Sequence, residues 1–86
     1  MTTADLLTSE YNTALRADAA ARVTSAIASG RRREYLNGLR SLRHLVLGEE
    51  DYRTVDQAIR LAVEHPGTPV KATATPWLLD LLVRHS

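Results

Sequence analysis

Arg31-Arg32-Arg33-Glu34-Tyr35-Leu36-Asn37-Gly38-Leu39-Arg40-Ser41-Leu42-Arg43-His44-Leu45-Val46-Leu47 is the stretch that decides the fold of this 86-residue chain. Tyr35, Leu39, Leu42 and Val46 recur at spacings of four, three and four, so on a helix they make one apolar stripe, flanked by Leu36, Leu45 and Leu47. Gly48 follows as the expected left-handed stop. The reading is an amphipathic helix over about 31–47.

The neighbouring segments carry the same period. Upstream, Leu7, Tyr11, Leu15, Val23 and Ile27 stand at multiples of four, and residues 14–28 hold seven Ala, which raises helix propensity. This predicts a long helix within about Thr3 to Ser29, ending before Gly30, with Thr8 or Ser9 available to cap a fresh start near residue 9 that would leave residues 1–8 a separate turn or frayed. Downstream, Tyr52, Val55, Ile59, Ala62 and Val63 form the apolar side of a helix over about 50–64. Small Ala58 and Ala62 on that side admit a close neighbour. Pro66, Pro69 and Pro76 then bracket residues 65–75 as an extended connector. Thr75 as N-cap and Pro76 at the first helical position open a last helix over about 76–84. The fold expected is all-α: one domain over 1–86, three main helices and a short apolar fourth, arranged as a small bundle.

Composition excludes several classes. Eleven Lys and Arg against ten Asp and Glu leave a net charge of +1, which argues against a histone-like polyanion binder and leaves only a local basic patch open. The absence of Cys removes disulfides, thiolate metal sites and a Cys nucleophile, and fits a reducing compartment. No apolar run exceeds three residues, Leu45-Val46-Leu47 being one of that length, which falls far short of the roughly 18 residues of a membrane span. The opening Met1-Thr2-Thr3-Ala4-Asp5-Leu6-Leu7 has no basic region before an apolar one, so a cytoplasmic location is expected. Lys71 is the only lysine in an Ala-, Leu- and Arg-rich chain, a bias that suits a high-GC genome or a phage infecting such a host.

No catalytic constellation emerges. His44, His65 and His85 lie about twenty residues apart, outside the paired spacing of metal ligands, and the four Gly stand singly, without a phosphate-cradling loop. The expectation is a non-enzyme with no metal, no cofactor and no small-molecule substrate.

Charge is unevenly spread. Residues 31–48 carry five Arg and one Glu, a sum of +4, whereas residues 49–65 carry five acids and two Arg, a sum of −3. Part of that charge complements across a hairpin. The Glu49-Glu50-Asp51 run stands where a helix N-terminus favours acids. Exposed charges elsewhere fall into four-residue pairs: Asp18 with Arg22, Glu49 with Arg53, Asp56 with Arg60, Asp80 with Arg84. Arg33, Asn37, Arg40 and His44, by contrast, share the arc opposite the apolar stripe, and neither arginine has an acid four residues away. With Arg31, Arg32 and Arg43 they form a candidate surface for phosphate or an acidic partner.

Trp77, Leu78, Leu79, Leu81, Leu82 and Val83 fill six of seven consecutive positions, so the last helix is apolar almost all round and must be buried on more than one side. It is either the central plug of the monomer or an interface, because a chain this short buries only about 60% of its unfolded surface by itself. The functional expectation is therefore a small binding or regulatory protein acting through helix-mediated contact with a second copy or another protein, a phage-encoded inhibitor of a host protein being one special case. The alternative is a small DNA- or RNA-binding regulator using the arginine arc.

Thr54-Val55-Asp56-Gln57-Ala58-Ile59-Arg60-Leu61-Ala62-Val63 resembles the second helix of the ribbon-helix-helix DNA-binding proteins and antitoxins, in which a small polar residue opens a helix with an Ile-Arg-x-Ala core. The resemblance implies a DNA-reading strand near Arg22-Val23-Thr24-Ser25-Ala26-Ile27, with Arg22 and Thr24 facing the groove. That stretch is embedded in Ala-rich sequence of helical character, which departs from the family's pattern.

Overall fold

Nothing between Thr3 and Ser29 interrupts a helix: the stretch has no Pro or Gly and is rich in Ala, and the backbone runs helical throughout as α1 (Thr3–Ser29). The computed structural model describes residues 3–86, with side chains from Glu10 onward. A start near residue 9 is thus corrected to Thr3, while Met1 and Thr2 of the frayed segment lie outside the described residues. Gly30 ends α1 with φ +70°, and two backbone bonds close the end: Gly30 N–H donates to Ile27 at 3.3 Å and Arg31 N–H to Ala26 at 3.1 Å. This is the Schellman pattern, which needs a residue at ease in the left-handed region.

Three more helices of useful length follow, α2 (Arg32–Leu45), α3 (Glu49–Glu64) and α5 (Pro76–His85), with the single turn α4 (Val70–Thr73) before the last. α2 stops at Leu45, two residues earlier than its apolar stripe suggests, because Val46 turns extended (φ −70°, ψ 150°) and leads the chain back toward α3. The Leu45 carbonyl freed there accepts Arg16 Nη1 at 3.1 Å. Gly48 (φ 87°, ψ 150°) serves as the residue before α3 and not as the stop of α2. The acids Glu49, Glu50 and Asp51 do occupy the first turn of α3. The extended reading of 65–75 is corrected at α4: Val70 and Thr73 are buried, and the turn closes through Ala72 N–H to Pro69 O at 2.9 Å and Thr73 Oγ1 to Val70 O at 2.7 Å. The Thr75 hydroxyl caps α5 by accepting Leu78 N–H at 3.1 Å, with Pro76 in the first turn.

The ribbon required by a ribbon-helix-helix arrangement is absent among the described residues, since Arg22–Ile27 lies inside α1 and every regular element is helical. That resemblance is therefore overturned as an account of the fold.

α1 and α2 run antiparallel, as Val23 beside Gly38 and Arg16 beside Leu45 show, and so do α2 and α3, as Arg32 on Ala62 and Arg43 on Asp56 show. α2 lies on α1 and α3, and α5 lies on α1 and α3 as well, so α2 and α5 take opposite corners of a four-helix bundle with α4 tucked against α3 and α1. One core joins all five elements, from Ala19, Ala20 and Val23 of α1 through Tyr35, Leu39 and Leu42 of α2 to Leu78 and Leu81 of α5. Val23 of α1 packs directly on Gly38 of α2, where the missing side chain lets the two helices approach closely.

Candidate nucleic-acid interface

The corner position of α2 decides which of its side chains can meet a ligand. Tyr35, Gly38, Leu39 and Leu42 point into the bundle, leaving Arg33, Glu34, Asn37, Arg40, Ser41 and His44 exposed on one continuous face. At 100° per residue, Arg33, Asn37, Arg40 and His44 stay within about 60° of arc over about 16 Å of axis.

The ten arginines divide by what they touch. Seven are engaged: Arg16 with the Leu45 carbonyl, Arg22 with Asp18 at 2.7 Å, Arg32 with two carbonyls, Arg43 with Asp56 at 2.8 Å, Arg53 with Glu49 at 2.6 Å, Arg60 with Asp56 at 3.0 Å, and Arg84 with Asp51 at 3.2 Å. All four pairs expected at four-residue spacing are present, including Asp80 with Arg84 at 3.6 Å. Arg31, Arg33 and Arg40 have no ion-pair or hydrogen-bond partner among the described residues, and all three are exposed on or just before α2.

Two residues of the expected basic surface serve the fold instead of the face. Arg32 Nη1 donates to Ala62 O at 2.8 Å and Nη2 donates to Thr68 O, tying the start of α2 to the end of α3 and the connector beyond it. Arg43 is three-quarters buried, bridges to Asp56 and lies over the Tyr52 ring at 5.9 Å. The face that remains is Arg31, Arg33, Asn37, Arg40 and His44.

Asn37 stands on the crest between two shallow grooves. The groove toward α1, about 480 Å3, is floored by Ala26 and Gly38 and carries Arg22, Arg31 and Glu34 on its rim. The other holds Arg33, Leu36 and Arg40. Glu34 is the addition that sequence reading missed, although it stands three residues before Asn37 and so on its side of α2, and Arg22, which the ribbon-helix-helix resemblance aimed at DNA from a strand, borders the groove from a helix.

α5 divides its apolar positions. Leu78, Leu81 and Leu82 plug the core, whereas Trp77, Leu79 and Val83 are exposed, Val83 by 74%. Leu79 and Val83 border an apolar groove of about 240 Å3 completed by Thr24, Ile27, Leu82 and Ser86. Ile27 belongs to the four-residue series on α1, which is the signal that could have placed it there.

One buried group bears on stability and not on the face. The Tyr35 hydroxyl forms no hydrogen bond of good geometry, and burial pushes its pKa above the ordinary value, with the neighbouring Thr73 hydroxyl and the Arg32 charge partly offsetting this. Among the described residues no group of three His, Asp or Glu side chains comes together as a metal cradle, and no helix is long and apolar enough to cross a membrane. Comparison of the chain with protein-family models, with curated proteins and with solved structures finds no match.

Proposed function

We propose that this chain is a non-catalytic binding protein whose α2 face holds the sugar-phosphate backbone of a nucleic acid. One observation carries the reading: in a chain that pairs or caps with seven of its arginines, the three without a partner among the described residues all stand at one corner, on or beside one helix. Guanidinium groups bind phosphate oxygens bidentately and need no deep pocket. The face carries one apolar side chain, the half-buried Leu36 in one groove, whereas protein interfaces centre on a desolvated apolar or aromatic core. This favours a polyanion over a folded protein as the occupant.

Anisotropy of a labelled random-sequence duplex tests the reading. Three phosphate contacts give a salt slope of about −2.7, which weakens binding roughly fortyfold between about 50 and 200 mM salt. The variant Arg31→Ala/Arg33→Ala/Arg40→Ala, with an unchanged circular dichroism spectrum, loses this binding. Absence of binding at about 50 mM salt overturns the reading, and so does equal affinity for polyglutamate, which would mark an acidic-protein surface instead.

A second surface supports self-association. Leu79 and Val83 are exposed at adjoining turns of α5, next to Asp80 and Arg84. An antiparallel contact between α5 and its copy sets Leu79 against Val83 and Asp80 against Arg84, so the surface complements itself under a two-fold axis. Sedimentation of wild type against Val83→Asp reads this directly: a concentration-dependent dimer that the substitution abolishes supports it, and a monomer at all concentrations overturns it.

A further inference from the structure

We infer that the nucleic acid taken by this face is double-stranded DNA, with α2 lying in the major groove, Asn37 at the base edges and the arginines of the two flanking grooves on the bordering strands. The inference rests on the nucleic-acid reading above and narrows it by three observations.

The first is the chemistry missing from the face. Proteins that hold single strands stack successive bases on aromatic side chains. Here Tyr35 is buried, the Tyr52 ring lies under Arg43, and Tyr11 and Trp77 stand on α1 and α5. The His44 imidazole near the C-terminal end of α2 is the one ring left on the face, so there is no row of rings on which successive bases could stack.

The second is shape. α2 is 14 residues long, about 21 Å, and its corner position leaves its polar side free of other elements. A helix of this kind enters the major groove of B-form DNA, about 12 Å wide, but not the deep and narrow major groove of an A-form RNA duplex.

The third is the arrangement about the crest. Asn37 borders both grooves, with Arg33 and Arg40 on one side and Arg22 and Arg31 on the other. A duplex groove has the same layout, base edges in the middle and a charged backbone on each side. The Asn carboxamide donates and accepts at once, which matches N6 and N7 of adenine in the major groove. Arg22 is held by Asp18 in an exposed pair, which is weak enough to be exchanged for phosphate. Glu34, on the rim of the α1-side groove, is the one acid lining either groove and has no partner among the described residues, so its charge opposes the backbone on the α1 side.

The test selects binding sites from a random duplex library with the full chain and with Asn37→Ala, and measures duplex DNA, single-stranded DNA and duplex RNA of matched length. The inference expects duplex DNA to bind at least about tenfold more tightly than the other two. It also expects an enriched site with an adenine whose replacement costs wild type about tenfold and Asn37→Ala less than about twofold. Arg33→Ala and Arg40→Ala weaken all duplexes alike and each lower the salt slope by about one. Equal or tighter binding of single strands or duplex RNA overturns the inference and leaves the nucleic-acid reading standing. An adenine preference that persists in Asn37→Ala overturns the role given to Asn37. No binding of any nucleic acid brings down the earlier reading as well.

Discussion

Gly38 of α2 faces Val23 of α1 so closely that a Cβ at position 38 would stand 2.7 Å from Val23 Cγ2 and 3.4 Å from the Val23 amide nitrogen. Glycine costs a helix interior about 1 kcal/mol relative to alanine, so its use here reflects packing and not propensity. Val23 is fully buried and β-branched, which leaves its methyl nowhere to go. Gly38→Ala is expected to lower stability by about 1–2 kcal/mol despite its better helix propensity, because forcing a methyl into a filled core costs more than the backbone gains. Urea denaturation measures it, and an unchanged or raised midpoint would show that α1 and α2 can separate freely.

Adjacent arginines have opposite duties. Arg32 holds two carbonyls across the bundle while Arg33 points to solvent. Arg32→Ala is expected to cost about 2 kcal/mol of stability and leave most of the nucleic-acid affinity in place. Arg33→Ala reverses the pattern, with a stability change within about 0.5 kcal/mol and a clear loss of affinity. Thermal melts and anisotropy on the same two proteins check both halves.

Asp56 accepts Arg43 at 2.8 Å and Arg60 at 3.0 Å, and the first of these pairs joins α2 to α3 with both side chains mostly buried. A double-mutant cycle on Arg43→Ala and Asp56→Ala is expected to give a coupling of about 1 kcal/mol, above that of the exposed pair Glu49 and Arg53. Raising salt to about 1 M reduces the exposed coupling more than the buried one.

Tyr35 sets an alkaline limit. In the unfolded chain its phenol ionises near the ordinary value of 10.0, while burial holds the folded pKa higher. The unfolded state therefore releases a proton that the folded state keeps, and stability falls as pH rises above about 10 toward the folded pKa. Tyr35→Phe removes this component. At neutral pH the same substitution is expected to be neutral or stabilising by up to about 1 kcal/mol, since the hydroxyl it deletes forms no hydrogen bond of good geometry. Denaturation midpoints of both proteins at pH 8 and pH 10.5 measure the difference.

Period and punctuation made most of the architecture readable. The stripe of Tyr35, Leu39 and Leu42, the left-handed Gly30, the acids opening α3 and the Thr75-Pro76 start of α5 each express a local rule, and each occurs where that rule places it. α4 escaped because a four-residue turn between prolines has no period; burial of Val70 and Thr73, a tertiary cause, produces it. The arginines escaped for a related reason. Arg31, Arg32 and Arg33 are identical as letters, but a rotation of about 100° per residue aims Arg32 at the Ala62 and Thr68 carbonyls and its neighbours at water. Which of six apolar positions on α5 turn outward was likewise hidden until α1 and α3 were placed on either side of it.

The diagonal relation of α2 and α5 has a consequence for valency. Helices at opposite corners do not compete for space, so a ligand seated on the polar corner leaves the apolar corner open. On the reading proposed above, each copy would offer two independent attachment points facing away from each other. A pair joined through α5 would carry its two α2 rows outward on a single rigid body, able to hold two stretches of duplex together, and the reach of that bridge would be set by the width of the bundle and not by any flexible tether.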